Sequence, residues 1–470
     1  MKLAAYPEYK DTQLPWLRKS PSHWEIKRGK SIFQPIDQRS ATGQEELLTV
    51  SSARGVVPRR TAKVTMFKAE SYLGYKLCWP GDLVINSLWA WACGLGVSQH
   101  HGIISSAYGV YRIRSGASMT PAFVHELVRS SPFNWELKVR SKGIWISRLQ
   151  LTDESFLDAP FPMPPSDEQS AIVRFLTHTD IGINHLIRTK RRLIELLNEQ
   201  KQVIIQRAVT RGLNPNAALK PSGIAWLGEI PKQWELWQIG HFSQIGNGST
   251  PLRANPAYWS NGSYPWLNSS CVNHSPVTEA KQFVTPVALQ ECHLPRVPAG
   301  SVLVAITGQG KTRGTAAVLR IEATINQHMA YITPSTKLAS ADYLQLFLSA
   351  AYRELRRISD DSGSTKGALT CGDVSHFKVA LPPVDEQQKI IVAVQQQTKT
   401  LDAAVARAAR EIELIREYRT RLVADVVTGQ LDVRAAAAKL PADLPVAEAI
   451  TEIEADDAEE PEELATVEQN

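Results

Sequence analysis

The sequence predicts an α+β protein built as an internal repeat, with two globular domains separated by two long helices that pair antiparallel as a coiled coil about a pseudo-twofold axis. Three observations predict it. The chain matches itself at two offsets, each matched half changes texture from mixed to helical, and 470 residues suffice for about three structural units.

At an offset of 210, Trp16-Leu17, Pro21 and Trp24-Glu25 recur as Trp226-Leu227, Pro231 and Trp234-Glu235. At an offset of 218, Pro164-Pro165-x-Asp167-Glu168-Gln169 recurs as Pro382-Pro383-x-Asp385-Glu386-Gln387, and the match persists to Leu213 and Leu431. The chain therefore divides into a first globular domain at 1–163, a first long helix at 164–212, a linker at 213–232, a second globular domain at 233–381, a second long helix at 382–430 and an acidic tail at 431–470. The tail offers little to bury and reads as disordered.

Within the globular domains, turn-then-strand patterns stand in corresponding places. Trp79-Pro80-Gly81-Asp82 leads into Leu83-Val84-Ile85, and Pro298-Ala299-Gly300 leads into the apolar run 301–306. Helical stretches follow at 121–129 and 340–357.

Each long helix starts after a Pro-Pro that cannot be helix interior, with capping boxes expected from Ser166 with Gln169 and from Asp385 with Gln388. Gly212 and Gly429 stand where a left-handed cap would end them. Alternating steps of four and three place Ile172, Leu176, Ile183, Leu186, Leu193, Leu197 and Ile204 on one seam, and Ile390, Val394, Leu401, Ile415 and Leu422 on the other. Such a seam over about four heptads is a coiled-coil signal, interrupted here by Lys190, Gln200 and Glu411. Packing the two helices on each other is the economical arrangement. Separate docking of each on a globular core or another subunit is the alternative.

The net charge of +5 is a poor mean, because residues 440–470 hold 11 of the 47 acids and none of the 52 bases. The rest carries +16, which points to a polyanionic partner, nucleic acid first. No apolar window reaches the ~18 residues of a membrane helix, and the N-terminal segment breaks at Pro7-Glu8, too early for a signal peptide. A cytoplasmic protein with no membrane partner is expected. Five cysteines without a CxxC pair read as reduced thiols.

Three motifs suggest chemistry and fail on context. Residues 305–312, ending Gly308-Gln309-Gly310-Lys311-Thr312, follow a strand as a phosphate loop would, but a strand-like run follows where a helix is needed. Asn255-Pro256-Ala257-Tyr258 resembles the Asn-Pro-Pro-Tyr loop of adenine methyltransferases, without the glycine-rich turn for a methyl donor upstream. Cys271, His274, Cys292 and His293 have poor spacing for zinc. The chain reads as non-catalytic, with no metal site. What remains are side chains of the types that read base edges or hold phosphates. In the first domain these candidates are Arg54, Arg59, Arg60, Asn86, Gln99, His100 and His101. In the second they are Ser249, Thr250, Arg253, Asn268, Ser269, Gln309, Lys311, Arg313, Asn326, Gln327 and Lys366.

The Pro-Pro-x-Asp-Glu-Gln openings, Trp226-Leu227-Gly228-Glu229-Ile230-Pro231-x-x-Trp234, Gly248-Ser249-Thr250-Pro251 with Asn255-Pro256-Ala257-Tyr258-Trp259, Thr324-Ile325-Asn326-Gln327, and Gly363-Ser364-Thr365-Lys366-Gly367 together resemble the specificity (S) subunits of type I restriction-modification systems. The likeness extends to about residue 434, although the first domain lacks the Asn-Pro-x-Tyr-Trp and Ile-Asn-Gln elements. The resemblance implies that the domains are target recognition domains reading the halves of a split site on double-stranded DNA. It also implies that the helices, about 70 Å long, set the unread spacer and dock two modification subunits, with two restriction subunits where the system cleaves. No cofactor is expected on this chain. S-adenosylmethionine, ATP and Mg would reside on the partners.

Overall fold

In each repeat the strand that follows the Trp-containing motif is laid against the strand that ends in Pro-Pro: Glu25–Arg28 pairs antiparallel with Pro160–Met163, and Glu235–Gln238 with Lys378–Leu381. The computed structural model describes residues 3–62, 71–143, 149–308, 310–361 and 367–441, so Gln309, Lys366 and residues 442–470 of the tail lie outside the described residues. The contacts divide the chain into two units, Met1–Arg192 with Ala408–Asn470, and Leu193–Arg407. Each unit thus takes one globular domain together with a stretch of both long helices.

The first unit centres on an antiparallel sheet in the order Phe33–Pro35, Gly109–Ile113, Leu83–Ile85, Leu95–Val97. Phe33, Phe123, Phe133, Phe156 and Phe161 are fully buried beside Trp24. Helix Pro121–Arg129 begins where expected because Thr120 accepts from Phe123 N and Pro121 occupies the first turn.

The second unit repeats that strand order with Ser243–Asn247, Met329–Pro334, Val302–Ala305 and Ala316–Val318. It adds a three-stranded sheet in which Tyr264–Leu267 pairs antiparallel with Gln282–Val284 and parallel with Thr324–Ile325. The single helix expected at 340–357 is two, Ala341–Ala350 and Tyr352–Asp361. The linker also departs from expectation. Leu219–Pro221 and Glu229–Pro231 form a hairpin, and Leu227 and Ile230 enter the core.

The long helices are Ser166–Arg211 and Val384–Val427. Gly212 and Gly429 follow them at φ +71° and +73°, the left-handed conformation that glycine adopts without steric cost. The capping box expected from Ser166 does not form, because Gln169 is buried and reaches into the globular domain. Its Oε1 accepts from Thr120 N at 2.8 Å, and its Nε2 donates to Ser118 O at 2.7 Å and Pro164 O at 2.8 Å. Gln387 makes the equivalent set, accepting from Ser340 N at 2.9 Å and donating to Leu338 O at 2.7 Å and Pro382 O at 3.0 Å. The motif glutamine therefore ties each long helix to the N-cap of a helix in its own unit. Glu168 beside it accepts from the buried Trp24 indole at 2.9 Å and from the Tyr6 hydroxyl.

Within the first unit the helix stretches pack antiparallel, since Asp180 pairs with Arg419 at 2.7 Å and Lys190 with Glu411 at 2.5 Å. Ile172, Leu176, Ile183 and Ile187 are buried there, as are Ala408, Ile412 and Leu422. In the second unit Ile205, Ala208 and Val209 share a core with Ile390, Ile391 and Val394, and Lys201 pairs with Asp402 at 2.5 Å. This corrects the expected seam at Leu186 and Leu193, which are 43% and 45% exposed. Their neighbours Ile187 and Ile194 turn inward instead. Asp180 takes the inward position and satisfies its charge by pairing with Arg419, whereas the apolar pattern placed Thr179 there. Leu197, Ile204, Leu401 and Ile415 are half-buried. The tail is corrected too. Residues 431–441 fold onto the first unit, with Val433, Ala436 and Ala437 buried and Asp432 bridging Ala4, because the acids that suggested disorder begin only at Asp443.

The same unit carries a titratable carboxyl. Burial first, and then the charge of Asp180, push Glu126 up to about 7, against the pull of Arg419 and Arg129. His125 beside it stays neutral, pushed down to about 3 mainly by burial. A carboxyl whose pKa is raised by folding stabilises fully below its unfolded value of 4.5 and loses that contribution as pH rises through 7. Glu126→Gln should therefore gain about 2 kcal/mol over wild type at pH 8 and little at pH 4.5. Denaturant unfolding at the two pH values checks this, and equal shifts would refute it.

Candidate nucleic-acid interface

In the second unit the chain brings together two motifs that lie far apart in sequence. Gly248 passes so close to the main chain that a Cβ there would stand 1.7 Å from Ile325 O, and Ser249 N donates to that same oxygen at 3.1 Å. Thr250 is thereby set beside Gln327, and its hydroxyl donates to Gln327 Oε1 at 2.6 Å. Gln327 Nε2 lies 3.4 Å from His328 Nε2, and His328 Nδ1 is hydrogen-bonded to Thr307 Oγ1 at 2.6 Å. Thr307 and His328 were not among the sequence candidates. Adjacency to Gln327 was the one available signal for His328.

Arg253 is exposed, yet its guanidinium stacks on Trp259 at 4.0 Å and Trp266 at 4.8 Å, and Nη2 donates to Gln282 at 3.0 Å. The Trp266 indole in turn donates to Ser249 O at 3.1 Å. Asn255 accepts from Ala257 N and caps the short helix Pro256–Trp259, so the Asn-Pro-Ala-Tyr run is a turn that supplies the stacking tryptophan. Asn268 caps the 3-10 helix Ser269–Asn273 in the same way. Lys311 is exposed in the loop joining the antiparallel strands Val302–Ala305 and Ala316–Val318, and no helix follows Thr312 to complete a phosphate loop. Thr312 Oγ1 donates to Asn273 Oδ1 at 3.2 Å, so this loop lies against the 3-10 helix that holds Ser269.

Two candidates are corrected. Arg313 is buried, pairs with Asp360 and packs under Gly367, where a Cβ would collide with its guanidinium. Asn326 is buried and accepts from His328 N at 3.1 Å, shaping the turn rather than facing outward. Burial removes both from a surface that could read bases. Cys271 lies against Met329 at 3.7 Å, with its thiol pushed up to about 12 by burial.

The first-unit candidates are more scattered. Arg54 donates to Thr61 O at 2.9 Å, Arg60 pairs with Glu46 at 2.8 Å, and Arg59 is half-buried beside them. Asn86 donates to Tyr108 Oη at 3.1 Å at one end of the strand pair Leu83–Ile85 and Leu95–Val97. Gln99, His100 and His101 sit past the other end, His101 against the Trp79 ring at 5.3 Å. No helix among the described residues is long and apolar enough to cross a membrane.

Residues 231–413 match the family model described as the type I restriction modification DNA specificity domain. Over 233 residues the chain is 22% identical to the EcoR124I/EcoR124II type I restriction enzyme specificity subunit of Escherichia coli, covering 46% of this chain and 57% of that one. Over 310 residues it is 24% identical to the MjaVIII type I restriction enzyme specificity subunit of Methanocaldococcus jannaschii, covering 63% and 68%. In fold it is similar to a chain solved in a study of complex assembly and conformational transition of the type I R-M system, with TM-score 0.60, 17% identity and coverage of 88% of this chain and 99% of that one. The chain thus spans less than two thirds of the Escherichia coli relative, and what the comparisons show is a type I restriction modification DNA specificity domain over residues 231–413 and a likeness of fold over the rest.

Proposed function

We propose that this chain is the DNA sequence-specificity subunit of a type I restriction-modification assembly, each globular domain reading one half of a split target. The observation that carries the reading is the match at 231–413, which spans the second globular domain with its Thr250–Gln327 surface. The repeated sheet order in the first unit supports a second reader of the same kind. The long helices are proposed to set the spacer and to dock two modification subunits, which would carry S-adenosylmethionine. Restriction subunits, where present, would carry ATP and Mg. The chain's own part is recognition, without a catalytic group.

The test is an exchange of residues 234–381 for those of a relative, followed by mapping of methylated adenines in cells that also carry the modification subunit. One half of the recognised motif should change. A change in both halves, or none, would overturn the modular reading.

Arg253 has the chemistry of a backbone anchor, since the two indoles hold a planar cation in place at the surface. Arg253→Ala is expected to weaken binding about equally across sequences and to lower the slope of log affinity against log salt by about 1. Titrations at several salt concentrations measure it, and an unchanged slope would exclude a phosphate contact.

A further inference from the structure

Resting on that reading, we infer that Gln327 is the residue with which the second domain reads an adenine in the major groove, held in register by Thr250, His328 and Thr307. The Thr250 hydroxyl stands at one end of the glutamine amide. It lies 2.6 Å from Gln327 Oε1 and donates to it, which leaves Nε2 turned toward His328. Gln327 Nε2 faces His328 Nε2 at 3.4 Å, and His328 Nδ1 faces the Thr307 hydroxyl at 2.6 Å, so the tautomer with its N–H on Nδ1 accepts from the glutamine and donates to the threonine. One chain of hydrogen bonds, Thr250 to Gln327 to His328 to Thr307, thus pins an exposed side chain at both ends of its amide.

Pinned in this way, Gln327 keeps one lone pair on Oε1 and one N–H on Nε2 side by side and free to point outward. That is the complement of the adenine major-groove edge, an amino donor beside the N7 acceptor. Guanine offers two acceptors there and would leave Oε1 against a lone pair. Preorganisation also removes the rotamer cost that a free glutamine would incur on binding. The neighbouring Asn326 does not compete for the base, because its Oδ1 is committed to His328 N.

Full-length chain, co-expressed and purified with its modification subunit, is incubated with randomised duplex DNA, and the bound duplexes are sequenced. Wild type should enrich a split motif with an adenine at a defined position of one half. Gln327→Ala should lose preference at that position by about ten- to a hundred-fold with the other positions intact, the range for one bidentate base contact. Gln327→Glu should move the preference to cytosine, whose amino group a carboxylate accepts. Thr250→Val, which frees the amide, should weaken the same position and no other. The inference is overturned if Gln327→Ala keeps the adenine, or loses every position together at an unchanged unfolding midpoint. A wild-type protein that enriches no motif would instead defeat the DNA-specificity reading itself.

Discussion

Replacing Gly248 with alanine is expected to destabilise the second unit by about 3 kcal/mol, at the upper end of what overpacking costs, and to abolish recognition of its half of the target. The added carbon would stand 1.7 Å from Ile325 O and 2.5 Å from Ile325 C. Those are main-chain atoms of a buried strand paired in parallel with Trp266 and Leu267. No rotamer change relieves the clash. The chain must separate by more than an ångström, which breaks the Ser249 N to Ile325 O bond and draws Thr250 away from Gln327. Thermal unfolding and motif enrichment read the two effects. Gly310→Ala is the control, since a Cβ there would meet nothing within 4 Å and its effect should stay within about 0.5 kcal/mol. A Gly248→Ala protein as stable as the control would contradict the close approach of the two chains.

The second large effect is expected from Gln387→Leu. Leucine fills a similar volume but strands three main-chain groups, the buried Pro382 O and the part-buried Ser340 N and Leu338 O. At about 1–3 kcal/mol for each unsatisfied group, the total should reach about 4 kcal/mol. Hydrogen exchange should locate the loss at the start of the second long helix and the N-terminus of helix Ala341–Ala350, leaving protection in the first unit unchanged. Gln169→Leu should produce the mirror result at Thr120 and Ser118. If either variant loosened both units alike, the glutamines could not be local ties.

Much of this architecture was legible because a repeat exposes itself. Pro-Pro, the glutamine after it and the closing glycine announced both long helices, and the strand order confirms the doubling in each unit. The capping role assigned to Gln169 was not legible correctly, because its partners Thr120 and Ser118 lie some fifty residues away. Hydrophobic periodicity likewise chose Leu186 and Leu193 over Ile187 and Ile194, since a pattern of apolar residues gives no credit to an inward Asp180 that finds Arg419. At the candidate interface, residue type selected Thr250 and Gln327 but could not join them across 77 positions. The same criterion admitted Arg313 and Asn326, whose burial depends on Asp360, Gly367 and the turn to His328.

The first unit is assembled from both ends of the chain, whereas the second is the contiguous stretch Leu193–Arg407. On the ribosome, where domains fold as units during synthesis, that order inverts completion. The nascent second unit has all its residues once position 407 has emerged. The first must wait for Leu422, Val426, Val427 and Val433 to enter the core around Trp24, and for Gly429 to settle against Pro21. The N-terminal domain is therefore the last to finish, and premature termination near residue 410 would leave the earliest-made part of the chain as the incomplete one.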